Sequence, residues 1–372
     1  MRAGDDAEAT DRVVRALTER GLWRAEFADR LECFAADLAL PDLGLPAATW
    51  DRLAREVDLI LHNGALVNFL FDYRAHRAAN VQGTAELLRL AQQRRAKPLH
   101  YVSTLGVLQS EAARQSNPLS EDYELSCGIA PSSGYSRSKW VAERRLGQAR
   151  RQGMAVTVLR LGEVMPSADN GHPNHWALTH LLLSAFNRLG VCPAADIRSD
   201  YTPVDYVAAR VVHAVMDPDS WGRTYHIFHP ESVCFADVLS RVGTPIARLS
   251  CVEFMAELRE AAERAGGGEL RTLMSLLPPV DPGDEAGLRR MFRGLLTDNP
   301  RLFRKDRCAR LEQRWGLTDG WLHPAISAYR AQLNREAGVD PRAGAAGDPQ
   351  RPAPGPARPG PTRWPAPVSA PR

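Results

Sequence analysis

The chain has 372 residues, 44% hydrophobic and 24% charged, with a formal net charge of +3, which is globular composition with ample length for a buried core. Residues 341–372 hold five arginines and one aspartate and so carry +4, which leaves −1 for the rest and argues against a nucleic-acid-binding body. Six scattered cysteines without CxxC or Cys/His ligand spacing, no apolar leader, and no apolar run of the ~20 residues a membrane helix needs speak against a metal site, secretion and membrane spanning, and for a reduced, cytoplasmic protein.

Periodicity predicts helices over 6–20 and 22–30, then a short apolar run over 32–36 that ends in Asp37-Leu38, and a helix over 47–56. Residues 57–62 read as a buried strand, followed by the small turn Asn63-Gly64-Ala65. A long amphipathic helix over 73–95 leads to a strand over 99–104, and a helix over 135–151 leads to a strand over 155–161. Apolar strands separated by helices predict an α/β fold, with a parallel sheet covered on both faces. Such sheets bind ligands beyond the carboxyl ends of their strands. After Pro166 the pattern loosens into a helix over 176–189, then Tyr201-Thr-Pro-Val-Asp-Tyr206, where Asp205 is placed to cap a helix running to Met216. A strand over 224–228 and mainly helical residues over 235–335 follow. The segment from Pro341 holds ten of the 27 prolines and is expected to be a disordered Pro/Arg-rich tail.

The chemistry centres on Tyr135-Ser-Arg-Ser-Lys139. Tyr and Lys four apart project from one helix face. An ammonium beside a phenol stabilises the phenolate, so the phenol gives a proton more readily to a carbonyl oxygen during reduction. Lysine is rare here: Lys97, Lys139 and Lys305 are the only three among 47 basic residues. With eight tyrosines, chance supplies only ~0.06 such pairs. Ser103-Thr104 ends the strand over 99–104, where a hydroxyl can bond the same substrate oxygen. His62-Asn63-Gly64-Ala65 ends the preceding strand, where a small turn lets backbone approach a ribose or nicotinamide.

These stretches resemble the extended short-chain dehydrogenase/reductase superfamily. More narrowly, they resemble its thioester reductase branch, the terminal reductase domains of nonribosomal peptide and polyketide synthases and of carboxylic acid reductases. The resemblance rests on Leu59-Ile-Leu-His-Asn-Gly-Ala-Leu-Val-Asn68, Ala79-Asn-Val-Gln-Gly-Thr84, Tyr101-Val-Ser-Thr-Leu-Gly-Val107, Gly134-Tyr-Ser-Arg-Ser-Lys-Trp-Val-Ala-Glu143 and Tyr201-Thr-Pro-Val-Asp-Tyr-Val-Ala208. It implies a Rossmann-like sheet and a catalytic set of Thr104, Tyr135 and Lys139. Asp37 and Leu38 would lie by an adenine, and Asn63, Gly64 and Ala65 would line the nicotinamide side with Tyr135 and Lys139. Arg2 matches an arginine that faces the 2′-phosphate of NADPH. A guanidinium suits a phosphate dianion, so NADPH is the expected cofactor.

The family's glycine-rich phosphate turn is absent from this sequence, and the one glycine cluster, Gly266-Gly267-Gly268, does not open a βαβ unit. The family fold is therefore expected here without its first strands. The expected reason is a start assigned too far downstream, since relatives carry valine where Met1 stands and GTG can serve as a start. An in-frame stop codon just upstream would contradict this. The other reading is a short protein that has lost cofactor binding. Residues 1–165 are thus expected to form a truncated NADP-binding region. Residues 166–335 would form a smaller, mostly helical region for substrate and carrier docking that lends part of itself to the sheet. The implied function is NADPH-dependent reduction of an acyl or peptidyl thioester on the phosphopantetheine arm of a carrier protein, releasing an aldehyde or alcohol in secondary metabolism. A sugar-nucleotide epimerase or dehydratase, another carbonyl reductase, and a non-catalytic interaction protein stand as alternatives.

Overall fold

The computed structural model describes residues 1–125, 129–240, 246–264 and 268–336. The expected tail over 341–372, and Gly266 and Gly267 of the glycine cluster, lie outside the described residues. The chain divides into two compact units: Met1–Gly162 with Asp219–Ile227 and Leu302–Leu311, and Glu163–Pro218 with Phe228–Arg301 and the residues from Glu312 onward.

The first unit is built on a four-stranded parallel sheet of β1 (Ile60–His62), β2 (Leu99–Thr104), β3 (Val156–Leu161) and β4 (Thr224–Ile227), adjacent in that order. This is an α/β, Rossmann-like architecture. Every residue of β2 and β3 except the last is buried, as expected for strands covered on both faces. The register pairs His62 with Tyr101, Thr104 with Leu161, and Leu161 with Ile227, so the carboxyl ends of all four strands share one edge.

Four of the longer helices belong to this unit. Helix α1 (Asp6–Glu19) starts where the Asp5 side chain accepts a hydrogen bond from Glu8 N. Helix α2 (Ala47–Glu56) packs Trp50 and Ala54 into the core with Leu87, Leu90, Leu99 and Leu146. Helix α3 spans residues 73–92. It is α-helical over Tyr73–His76, π-helical over Arg77–Gln82 and α-helical again over Gly83–Gln92. Helix α4 (Gly134–Arg151) is capped by the Ser133 hydroxyl, which accepts from Ser136 N.

Several expectations shift. The helix foreseen over 22–30 is a 3-10 turn confined to Ala25–Arg30. The strand foreseen from Val57 begins only at Ile60. The apolar run over 32–36 forms no strand; Ala36 N donates to Met1 O and the Met1 amino group to Phe34 O, both at 2.8 Å.

In the second unit, helices α5 (Leu178–Leu189), α6 (Val204–Met216), α7 (Cys251–Arg264), α8 (Glu269–Leu276), α9 (Glu285–Gly294) and α10 (Leu322–Glu336) accompany short strands. Phe186, Phe254, Leu258, Leu273, Phe292 and Tyr329 belong to its apolar core. Asp205 does not cap α6. Pro203 precedes that helix, and Asp205 lies within its first turn, where its carboxylate accepts from Ala168 N at 2.8 Å. No helix among the described residues is long and apolar enough to cross a membrane.

Candidate active site

The sequence places Thr104 at the carboxyl end of β2 and Tyr135 and Lys139 one turn apart at the start of α4. Two close approaches hold this turn of helix against the sheet edge. A Cβ on Gly134 would lie 2.3 Å from Phe71 O and 2.5 Å from the Asp72 carbonyl carbon, so only glycine lets the chain over 71–73 run this near the helix start. A Cβ on Gly106 would lie 2.9 Å from Ser136 Oγ and 3.3 Å from Thr104 Oγ1, which sets the turn after β2 directly against α4. Gly106 N donates to Thr104 Oγ1 at 3.1 Å. That bond occupies a lone pair and leaves the hydroxyl hydrogen for a substrate oxygen.

Lys139 is buried. Its Nζ donates to Val102 O at 2.7 Å and sits 4.2 Å from the centroid of the Tyr101 ring. Burial lowers its pKa to about 7, against an opposing pull from Glu143. Tyr135 is half-buried, with Phe69 edge-on at 5.8 Å and His76 at 6.1 Å between ring centroids. Val67, Phe69, Leu70 and Phe71 are exposed, so the loop beside Tyr135 is largely apolar.

Of the remaining expected residues, Gly64 and Leu38 are brought together. A Cβ on Gly64 would lie 2.9 Å from Leu38 Cδ1, and one on Gly83 would lie 2.6 Å from Leu38 O. Asp37 is half-buried and organises its own turn, its Oδ1 accepting from Ala39 N at 2.8 Å. Asn63 and Gly64 are exposed beyond β1, and Ala65 is half-buried. Arg2 is exposed and follows Met1, whose backbone bonds Phe34 and Ala36.

Asn80 ties these groups together. It is buried, accepts from Leu66 N at 2.7 Å, and donates to Leu66 O and to Ser138 Oγ at 2.9 Å each. One amide thus fastens the loop after β1 to α4. It sits in the π-helical turn, a local distortion often found at functional sites. His62 donates from Nε2 to Thr84 Oγ1 at 3.1 Å, because the Thr84 hydroxyl already donates to Asn80 O. Burial, with the Lys139 charge nearby, lowers the His62 pKa to about 3, so its imidazole is neutral.

Behind the site, Glu143 accepts from Ser103 Oγ at 2.5 Å and pairs with Arg160 at 2.8 Å, and Arg160 meets His226 Nε2 at 3.3 Å. Ser103, Arg160 and His226 are register partners on β2, β3 and β4. The glutamate that closes the α4 motif therefore anchors that helix to β2 and β3, and through Arg160 to β4. Sequence reasoning gave no role to Asn80, Glu143, Phe69 or His76. Asn80 and Glu143 stand inside the quoted motifs; the two aromatic residues carried no signal.

A parallel sheet with its ligand edge at the strand carboxyl ends and a Tyr/Lys pair on the following helix define an extended short-chain dehydrogenase/reductase. Residues 1–211 match the NAD-binding family described as Male sterility protein, and the chain belongs to that family, in the thioester reductase branch. Among solved structures it is similar to the terminal R domain of the myxalamid PKS-NRPS pathway. That domain is 33% identical, with a TM-score of 0.79 over 91% of this chain and 83% of that one. It is also similar to the reductase domain of a nonribosomal peptide synthetase from Mycobacterium tuberculosis, at 26% identity and a TM-score of 0.65 over 90% of this chain and 84% of that one. A linear gramicidin synthase polypeptide of Brevibacillus parabrevis is 33% identical over 72% of this chain. The L-2-aminoadipate reductase of Candida glabrata, in its large subunit, is 31% identical over 59% of it. The chain spans 5% and 17% of the length of these two curated relatives.

The family implies a nicotinamide cofactor. The donor set suits its nicotinamide end, with a lysine ammonium, a phenol and a small-residue turn on one sheet edge. The sequence holds no Gly-x-x-Gly-x-x-Gly stretch of the kind that cradles a pyrophosphate.

Proposed function

We propose that this chain reduces a carrier-bound acyl or peptidyl thioester with NADPH, releasing an aldehyde or alcohol in the biosynthesis of a secondary metabolite. The observation that carries the reading is the Tyr135/Lys139 turn seated against Thr104 at the carboxyl end of β2. Support for the substrate class comes from the relatives' names, which include linear gramicidin synthase and an isonitrile lipopeptide synthase.

Tyr135 Oη gives its proton to the thioester carbonyl oxygen as the carbonyl is reduced. The Lys139 ammonium makes the phenol a stronger acid and meets the cofactor ribose. The Thr104 hydroxyl donates to the same oxygen and stabilises the negative charge that develops there. The nicotinamide cofactor supplies the reducing equivalent when bound. Asn63, Gly64 and Ala65 line its nicotinamide side, and Asp37 and Leu38 its adenine side. Exposed Arg2 supports NADPH over NADH, because a guanidinium meets a 2′-phosphate with paired donors. Collapse of the hemithioacetal returns the phosphopantetheine thiol and leaves the aldehyde. Residues 166–335, apart from 219–227 and 302–311 of the first unit, supply the acyl pocket and the carrier-docking face.

The test is nicotinamide oxidation with an acyl-phosphopantetheinyl carrier protein, comparing NADPH with NADH. Tyr135→Phe should lower kcat by at least ~100-fold, the scale of general acid catalysis, with little change in NADPH affinity. Near-full turnover by that variant would remove Tyr135 as the acid. A cofactor that recycled without net oxidation would favour an epimerase.

A further inference from the structure

Far along the sequence from the Tyr/Lys pair, three helix ends of the second unit bring two imidazoles and two carboxylates together. His175 lies three residues before α5, His180 in its first turn, Glu269 at the start of α8, and Glu336 at the end of α10. One ligand atom each from His175, His180 and Glu336 lie within 4.8 Å of one another. Oε1 of Glu269 is 3.5 Å from His175 Nδ1 and 3.5 Å from His180 Nε2. A tetrahedral ion with bonds of ~2.0–2.1 Å holds its ligand atoms about 3.3 Å apart. The ligand atoms of His175, His180 and Glu336 need draw in only from within 4.8 Å to reach that spacing.

His180 supplies an independent sign of a missing ligand. Its side chain is 2% exposed, and its Nε2 makes no aligned hydrogen bond among the described residues, the Glu269 oxygen at 3.5 Å being out of line for one. A buried polar atom left so costs about 1–3 kcal/mol, and an ion at Nε2 would satisfy it. The other nitrogen, Nδ1, shares a 2.8 Å hydrogen bond with Tyr329 Oη. When Nδ1–H donates to that phenol, the Nε2 lone pair faces the cluster. The carboxylates are braced too: Ser184 Oγ donates to Glu269 Oε2 at 2.9 Å and Gln332 Nε2 donates to Glu336 Oε1 at 2.7 Å. Outer partners that fix ligand orientation in this way are characteristic of metal centres.

We propose that His175, His180 and Glu336 bind one divalent transition-metal ion of the zinc type, which fastens the adjoining ends of α5 and α10. Two nitrogen donors and a carboxylate suit zinc better than calcium or magnesium, which favour oxygen alone. Water completes the coordination, and Glu269 stands beside both imidazoles as an outer carboxylate. The ligands lie 5 and 156 positions apart along the chain, so no local spacing motif announces the set.

The test uses the full chain, freed of metal with a chelator and titrated with Zn2+ alone by calorimetry, and separately with Co2+ alone as a visible-absorption probe. One equivalent of Zn2+ should bind, Co2+ should show the intense bands of a tetrahedral site, and thermal stability should rise with free zinc. His175→Ala and Glu336→Gln change exposed residues and should leave the chain folded by circular dichroism. Each should weaken binding ~10–100-fold. A wild-type chain that takes up no stoichiometric Zn2+ would overturn the proposal. So would folded variants that both keep wild-type affinity, since the ion would then be held elsewhere.

Discussion

Lys139 Nζ donates to the carbonyl oxygen of Val102 at 2.7 Å, two residues before Thr104 on the same strand. The contact fixes the ammonium at the sheet edge and takes it out of water, and that burial lowers its pKa to about 7 from an ordinary 10.5. Between those values the unfolded chain binds more protons than the folded one, so this group adds stability as pH rises from about 7 to 10.5. Below about 7 the folded protein bears the full cost of a buried charge. Lys139→Met should therefore be more stable than wild type at pH 6 by roughly 1–3 kcal/mol. The difference should shrink toward pH 10, while thioester reduction is lost. Urea unfolding at several pH values checks the first part. A variant less stable than wild type at pH 6 would mean that the ammonium contributes more than its burial costs.

His62 titrates in the acid range. Its folded pKa of about 3 lies below the ordinary 6.5, through burial first and the Lys139 charge second. The unfolded chain therefore binds more protons between about 3 and 6.5, and stability falls as pH drops through that window. His62→Gln keeps a donor for Thr84 and carries no titratable group. Its stability should vary less between pH 6.5 and 4 than that of wild type, by on the order of 2 kcal/mol. Parallel pH–stability curves for the two proteins would assign the acid loss to other groups.

Gly134 leaves no room for a side chain, because the obstacles at 2.3 and 2.5 Å are backbone atoms of Phe71 and Asp72. Gly134→Ala should cost about 1–3 kcal/mol by overpacking. It should also displace Tyr135, the next residue, so kcat should fall further than the stability loss alone explains. Circular dichroism melting and steady-state kinetics on the folded fraction separate the two effects.

The Glu143–Arg160 pair is buried on both sides, at 2.8 Å. Removing one partner strands the other charge. Glu143→Gln should cost about 3–5 kcal/mol, whereas the apolar double variant Glu143→Leu/Arg160→Met should recover much of that loss. Guanidinium unfolding of wild type and the two variants measures both differences.

The local elements of this chain could be read from its residues. Tyr135 and Lys139 are four apart on an amphipathic helix, and residues 99–104 form an apolar run, so the proposed catalytic pair and the strand beside it follow from periodicity. The helix over 47–56 and the strand over 99–104 occupy the positions that periodicity assigns them. Asp205 shows the limit of such reading. Its type and place suit a cap, but its carboxylate serves Ala168, 37 residues away, and hydrogen bonding over that distance leaves no periodic trace.

Tertiary closure decided the rest. Asn80 becomes a clamp because the loop after β1 folds back over α3 and α4. Glu143 becomes an anchor because parallel register sets Ser103, Arg160 and His226 side by side. His175, His180, Glu269 and Glu336 become neighbours because three helices end at one place. Sequence by itself determined what each residue could do within a turn or two of its own helix or strand, where geometry follows from 3.6- and 2-residue repeats. Which distant residues would share a charge, a hydrogen bond or an ion depended on burial of the whole chain, where unpaired polar groups must find partners wherever packing brings them.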